Sequence, residues 1–265
     1  MNGTPFKIIQ ISDTHLYADK TKALLGVNTE DSFQAVLNLL QQENGKMDLI
    51  LLTGDLAQDG SSQAYKRVAD ALKPFSVPVY CVPGNHDNAK TMKRVYPYEP
   101  ISDRRRIVLK QWQIILLNSQ LSGAVEGYLE SSELSYLEHC LRAHPHHQAM
   151  IAFHHQPLPV GSAWLDKIGL KNAKKFWEVI AAYPQVNTVL FGHVHQEFTQ
   201  IVKGVKCYSA PATCFQFERN NDHFALEKLP PGYRRIYLHE KGEIETSVHR
   251  VSEYVGHFDA HCKGY

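Results

Sequence analysis

The sequence predicts an α/β protein in which layered sheets carry flanking helices. Three observations support this. Apolar runs of strand length recur along the chain, stretches with a helical apolar period lie between them, and the runs stop at small, polar or ionisable residues. Continuous apolar runs suit strands buried on both faces.

Taken in order, the runs are "FKIIQI" (6–11), "LILLT" (49–53), "PVYCV" (78–82), "QIILLN" (113–118), "AMIAF" (149–153) and "NTVLF" (187–191). Between them, Phe33, Val36, Leu37 and Leu40 fall at i, i+3, i+4 and i+7, one face of a helix. Tyr65, Val68, Ala69 and Leu72 repeat that spacing, Leu134, Leu137 and Leu141 give a third stripe, and "AKKFWEVIAAY" (173–183) a fourth. These stripes are read as core packing. After about residue 200, "VKCYS", "YRRIYL" and "EIETSVH" read as further strands and are expected to complete a second sheet. No low-complexity linker or internal repeat divides the chain, so one domain is expected over 1–265, with a C-terminal tail from about 255.

Composition narrows the functional classes. The 265 residues carry a net charge of +1, with no basic excess for a nucleic-acid backbone or an acidic membrane surface. No apolar run approaches the roughly 20 residues of a membrane helix, and the N-terminus lacks the pattern of a secretory signal. Five Cys, at 81, 140, 207, 214 and 262, form no Cys-x-x-Cys pair, which argues for a reducing compartment and a cytoplasmic protein. Fifteen His are the outlier. Some have ordinary readings, as in "HPHH" (144–147), a solvated loop. Imidazole is also the commonest metal ligand and the usual acid or base near neutrality.

Ligands in open α/β sheets bind beyond the carboxyl ends of strands. Five of the runs end there in potential metal ligands: Asp13 and His15; Asp55 after Gly54; Asn85 and His86 after Gly84; His154 and His155; and His193 and His195 after Gly192. Each fragment alone has a plainer reading as a turn, a helix cap or a core His. In an extended segment His193 and His195 would face the same side and converge on one point. The recurrence of such residues at five strand ends is what gives the set its specificity. Asp13, His15, Asp55, Asn85, His154, His193 and His195 offer oxygen and imidazole donors and no thiolate, which suits Fe, Mn, Co, Ni or Zn. Seven side chains are too many for one ion; with one carboxylate bridging, they supply two ions with four ligands each.

The ordered motifs Asp-x-His, Gly-Asp, Gly-Asn-His-Asp, His and Gly-His-x-His resemble those of the calcineurin-like metallophosphoesterase superfamily, with no ligand position substituted. The resemblance implies a four-layer αββα sandwich, two mixed β-sheets flanked by helices, and a dinuclear centre at the strand ends. It implies that Asp13, His15 and His195 hold one ion, that Asn85, His154 and His193 hold the other, and that Asp55 bridges them. It makes His86 a catalytic stabiliser or proton donor beside the phosphate, and Asp55 catalytic through the water it helps position. His15, Asp55, Asn85, His86 and His195 then also face the substrate. His154 is taken as the ligand because the family uses the first His after the strand, and Asp87 is read as closing the turn.

The longer stretches "ISDTHLYADKTKALLGVNTEDSFQAVL", "HHQPLPVGSAWLDKIGLKN", "GHVHQEF" and "SAPATCFQF" resemble bacterial class III 3′,5′-cyclic-AMP phosphodiesterases. That implies hydrolysis of cyclic AMP to 5′-AMP by hydroxide generated at two metal ions, with Fe or Mn favoured and Zn, Co or Ni alternatives, and a monomer or homodimer. A broader phosphodiesterase acting on glycerophosphodiesters or nucleotide-sugar pyrophosphates fits the same metal motifs. A non-catalytic scaffold of the same fold is the reading from another class, and the intact ligand set argues against it. No nucleic-acid or membrane partner is expected. "CFQF" (214–217) supplies either aromatic faces for a base or core side chains.

Overall fold

A computed structural model of the chain describes residues 4–43, 46–96 and 99–252. Twelve strands build two six-stranded sheets. In chain order they are β1 (Phe6–Ile11), β2 (Leu49–Leu52), β3 (Val79–Cys81), β4 (Ile101–Ser102), β5 (Arg106–Leu109), β6 (Trp112–Leu116), β7 (Gln148–Ala152), β8 (Val186–Phe191), β9 (Phe198–Val202), β10 (Val205–Ser209), β11 (Gly232–Leu238) and β12 (Ile244–Arg250). The first sheet runs β12-β11-β1-β2-β3-β4 and the second β9-β10-β8-β7-β6-β5. In the first, β1 to β4 are parallel, with Ile8 opposite Leu49 and Ile50 opposite Val79, while β11 and β12 are antiparallel. In the second, β6, β7, β8 and β10 are parallel, while β5 and β9 are antiparallel edges.

The helices are α1 (Thr29–Gln42), α2 (Ser62–Leu72), α3 (Ala89–Val95), α4 (Ser131–Ala143) and α5 (Ala173–Ile180), with a short turn at Ala163–Asp166. Their starts follow from side chains that satisfy the free backbone N–H groups of a first turn. Asn28 accepts from the Asp31 amide, Ser61 from that of Ala64 and Asn88 from that of Thr91.

Alternation along the strands sends successive apolar side chains into different layers. Ile9, Ile11, Ile50 and Leu52 pack against Phe33, Val36 and Leu37 of α1 and Tyr65 and Val68 of α2. Their neighbours Ile8, Leu49 and Leu51 face the other way, onto Ile114, Leu116, Met150 and Leu190 of the second sheet. On that sheet's far side, Ile115, Ile151, Val189 and Phe191 meet Leu134, Leu137 and Leu141 of α4 and Phe176 of α5. Three apolar layers between four structural ones make the expected αββα sandwich. The apolar stripes are core, and so are Phe215 and Phe217 of "CFQF", both at most 1% exposed.

One expectation about connectivity is corrected. Only β9 and β10 complete the second sheet; β11 and β12 return to the first, where β11 pairs antiparallel with β1. The free edge of β1 in the first sheet leaves an unpaired row of backbone groups, and a strand added there satisfies them. Nothing in the local sequence of a strand says which sheet it joins. The tail from about 255 lies outside the described residues.

Candidate metal centre

The parallel strands of both sheets end on one edge of the sandwich. That edge gathers Asp13 and His15 after β1, Asp55 after β2, Asn85 and His86 after β3, His154 after β7, and His193 and His195 after β8. Five of these eight, Asp13, His15, Asp55, His193 and His195, have positive φ between 47° and 67°. Non-glycine residues rarely hold this left-handed backbone, and it concentrates where a site over-determines the chain. It also corrects the expected geometry of His193 and His195. That segment is not extended, and the two imidazoles do not converge on a single point. His193 lies against His154, with ring centroids 5.1 Å apart, and His195 against His15, also 5.1 Å apart.

Neighbouring loops lock this arrangement. Asp13 N–H donates to the Gly54 carbonyl (3.0 Å) and His15 N–H to that of Asp55 (2.9 Å), so the first two strand ends are tied. Gly54 has φ +97°, and a Cβ there would lie 2.4 Å from His154 Nδ1. A Cβ on Gly84 would lie 2.1 Å from Asp55 Oδ1. Asp87 is more than a turn residue, as the sequence reading had it. Its buried carboxylate accepts from the backbone N–H groups of Leu56 (3.0 Å), Ala57 (3.0 Å) and Gly84 (2.9 Å) and from the Tyr65 hydroxyl (3.1 Å), fastening the second strand end to the third.

The hydrogen bonds fix which imidazole nitrogens point inward. His154 Nδ1 lies 2.8 Å from the Thr53 carbonyl, His195 Nδ1 3.0 Å from that of Phe215, and His15 Nδ1 2.6 Å from Gln58 Oε1. Since a carbonyl only accepts, each Nδ1 carries a proton; Nε2 of His15 and His195 then turns a lone pair inward, and Nε2 of His154 faces Asp55, where a bound cation would take the place of any proton. There acceptors face acceptors. His15 Nε2 and His195 Nε2 are 3.1 Å apart, and His195 Nε2 is 3.5 Å from Asp13 Oδ1. His154 Nε2 is 3.2 Å from Asn85 Oδ1. Asp55 Oδ2 stands between the two groups, 3.2 Å from His154 Nε2 and 3.8 Å from His15 Nε2. Its other oxygen accepts from the His86 amide at 2.9 Å. Asp13 Oδ2, Asp55 Oδ2 and His193 Nε2 are buried without a hydrogen-bond partner. Buried unsatisfied acceptors cost about 1–3 kcal/mol each, so a convergent set of them is the signature of a cation site. Of the four groups of mutually close ligand atoms among the described residues, Asp55 belongs to two, one with His15 and His86 and one with Asp13 and His154. The donor set therefore fits two ions sharing one carboxylate.

His155 is not equivalent to its neighbour. Its Nε2 lies 3.0 Å from the Val125 carbonyl and its Nδ1 2.8 Å from Ser119 Oγ, so both nitrogens are engaged outside the centre. Cys214 approaches His195 from the Nδ1 side, 3.8 Å away, and burial pushes its thiol well above the usual range.

The charges follow from burial and crowding. Burial lowers His15 to about 4, with Asp55 opposing. Burial lowers His193 and His195 well below the ordinary value, reinforced by neighbouring imidazoles. Burial and the charge of His154 bring His155 to about 3. Burial would also lower His154, but the Asp55 carboxylate outweighs it and raises His154 to about 9. Burial and the charge of Asp55 raise Asp13 to about 7 against the pull of His154. Asp55 itself is held well below the carboxylate range, because His154, His86 and His15 overcome its burial. Asn85 and His86 are half-buried, the most accessible members of the set. His86 packs edge-on against His15, with centroids 5.0 Å apart.

All eight residues singled out in the sequence meet at this edge. Sequence reading missed Gln58, the Thr53 and Phe215 carbonyls and Gln120, whose carboxamide reaches the loop carrying Asn85 and His86. Gln58 and Gln120 belong to none of the motifs read from the sequence, and the backbone carbonyls of Thr53 and Phe215 carry no side-chain signal.

Residues 6–197 match the family model described as calcineurin-like phosphoesterase. A Vibrio vulnificus protein named 3′,5′-cyclic adenosine monophosphate phosphodiesterase CpdA is 42% identical over 253 residues, covering 95% of this chain and 92% of the relative. Proteins of the same name from Escherichia coli K12 and Pseudomonas aeruginosa are 41% and 36% identical, covering 98% and 97% of this chain and 94% of each relative. Among solved structures, a dimetal phosphatase from Danio rerio superposes with a TM-score of 0.66 at 15% identity, covering 94% of this chain and all of that one. Purple acid phosphatase PPD1 from yellow lupin gives 0.67 at 11% identity, covering 97% of this chain and 53% of that one. At such identities these two structures speak to the fold alone.

Proposed function

The chain belongs to the calcineurin-like phosphoesterase family, and from that premise we propose that it is a metal-dependent phosphodiesterase hydrolysing 3′,5′-cyclic AMP to 5′-AMP. The observation that carries this reading is the pair of inward-facing donor groups joined by Asp55, on a chain 36–42% identical to cyclic AMP phosphodiesterases over nearly its whole length. Asp13, His15 and His195 would hold one ion and Asn85, His154 and His193 the other, with Asp55 shared between them. Oxygen and imidazole donors of this kind favour Fe or Mn, with Zn, Co or Ni also accommodated. When bound, two such ions neutralise a phosphodiester and acidify water near pH 7.

The protein's own groups do the rest. Thr53, Gln58 and Phe215 hold the Nδ1 protons of His154, His15 and His195, which keeps each Nε2 a donor of electrons to a cation. Asp55, fixed by the His86 amide, sets the spacing between the two donor groups. His86, half-buried beside His15, meets the substrate with Asn85, where it stabilises charge on the phosphoryl oxygens or protonates the departing 3′ oxygen. The chain acts as a single domain over residues 1–265, in the cytoplasm, as a monomer or homodimer, and lowers cellular cyclic AMP.

Purified protein, stripped with a chelator and reloaded with Mn²⁺ or Fe²⁺, tests this when offered cyclic AMP and a generic phosphodiester in parallel. Metal-dependent release of 5′-AMP is the expected result. Cleavage of the generic diester without 5′-AMP would transfer the activity to glycerophosphodiesters or nucleotide-sugar pyrophosphates. Turnover of neither, with metal bound, would contradict the enzyme reading.

A further inference from the structure

The loop 84–87 carries both Asn85 and His86, yet it has no regular secondary structure and both side chains are half-buried. The His86 amide on Asp55 and the Asp87 carboxylate tie it to the end of β2 and to α2, and a further contact comes from the other sheet. After β6, Gln120 extends its carboxamide across the seam and donates from Nε2 to the Gly84 carbonyl (2.7 Å) and to the Asp87 carbonyl. Both partners only accept, so the amide group must be oriented with its nitrogen toward the loop. The two carbonyls bracket Asn85 and His86.

Gln120 itself stands on a fixed base. Its amide N–H donates to Asn118 Oδ1 (2.9 Å), and Asn118 N–H donates to Glu133 Oε2 at the start of α4 (2.8 Å). Ser119, between them, donates from Oγ to His155 Nδ1 (2.8 Å), beside the ligand His154. Tyr128 N–H closes back on the Ser119 carbonyl (2.9 Å). His155 therefore has a task of its own. As a neutral imidazole with both nitrogens occupied, it ties the base of this segment to the end of β7.

We propose that Gln120 is a positioning residue for the reaction, holding the Gly84–Asp87 backbone so that Asn85 and His86 keep their places opposite Asp55 and His154. The proposal rests on the roles given above to Asn85 and His86. No helix or strand fixes those two side chains, and a displacement of about 1 Å at such a group can cost about 10² in rate.

Two variants remove the donors differently. Gln120→Leu removes the polar group, and Gln120→Glu keeps the shape but offers only acceptors to two carbonyls, so one serves if the other folds poorly. Calorimetric Mn²⁺ titration of the stripped protein is expected to show one of the two ions weakened and the other unchanged. Wild-type affinity for both ions, or equal weakening of both, would overturn the proposal. At saturating Mn²⁺, kcat on cyclic AMP should fall by about 10–10²-fold with little change in KM. In a His86→Ala background the same substitution should cost little more, because residues acting as a unit are non-additive. Losses that multiply would mean that Gln120 does not act through His86. If His86→Ala alone kept full turnover, the role of His86 would fall, and the titration would still decide whether Gln120 positions Asn85.

Discussion

Two polar clusters of similar composition sit in different parts of this molecule. In the first sheet, Glu43 at the end of α1 meets Tyr233, Arg235 and His249 of β11 and β12. Its Oε1 lies 2.6 Å from His249 Nδ1, its Oε2 accepts from Arg235 Nη2 (2.5 Å) and from the Tyr233 hydroxyl, and the Tyr233 and His249 rings stack 5.2 Å apart. Every carboxylate oxygen there has a donor. At the strand ends, one oxygen of each carboxylate accepts a backbone amide, Asp13 Oδ1 from His193 and Asp55 Oδ1 from His86, while Asp13 Oδ2, Asp55 Oδ2 and His193 Nε2 are buried without a hydrogen-bond partner among the crowded imidazoles. The contrast separates a structural ion cluster from a cation site: the presence of His and carboxylate says little, and whether acceptors meet donors says a great deal.

Three experiments test that contrast. The largest expected effect is on turnover. His86→Ala should retain both ions and lose about 10²–10⁴ in kcat, the span typical of a positioned acid or charge stabiliser; near wild-type turnover with full metal would remove His86 from the chemistry. Next is the acid stability of the metal-free protein. Burial holds folded His155 at about 3 and His15 at about 4, whereas an unfolded His takes its proton near 6.5. Below about pH 6.5 each of these histidines is protonated in the unfolded chain but not in the folded one, so each lowers stability by roughly 1.4 kcal/mol per pH unit as pH drops, and the buried carboxyls of Asp13, raised to about 7, and Asp87, raised to about 6, offset part of that loss. Glu43 is held below its ordinary 4.5, because its bonds to Tyr233 and His249 outweigh burial, so its cluster keeps its contribution until pH falls below that value. Thermal denaturation between pH 7 and 4.5 should therefore show a loss traceable to the strand-end histidines. His155→Asn should reduce its slope, and an unchanged slope would count against the assignment. The smallest effect is at Glu43. Glu43→Gln should cost about 1 kcal/mol, or about 2–4 °C in Tm, with activity untouched. Loss of metal in that variant would erase the distinction between the clusters.

The site was more legible in the sequence than its geometry was. Asp13, His15, Asp55, Asn85, His86, His154, His193 and His195 stand out because each ends an apolar run, a position that the strand pattern exposes. The way His193 and His195 part toward different partners was not legible, since left-handed φ at non-glycine residues leaves no mark in composition. The layers were readable from the continuous apolar runs of β1, β2 and β8, which mark strands buried on both faces. The return of β11 and β12 to the first sheet was not, because pairing across more than 200 residues depends on which edge is free. Gln120 and Asp87 were missed or undervalued because they act on backbone groups, whose positions only the fold supplies.

Asp55 is the carboxylate that two cation sites would share, and metal content per chain tests that role most directly. Elemental analysis of the Mn²⁺-loaded protein, after removal of free metal, should give two ions per chain in the wild type and a marked loss in Asp55→Ala, with cyclic AMP turnover falling alongside. A single ion in the wild type, or two ions retained by an active Asp55→Ala protein, would contradict it.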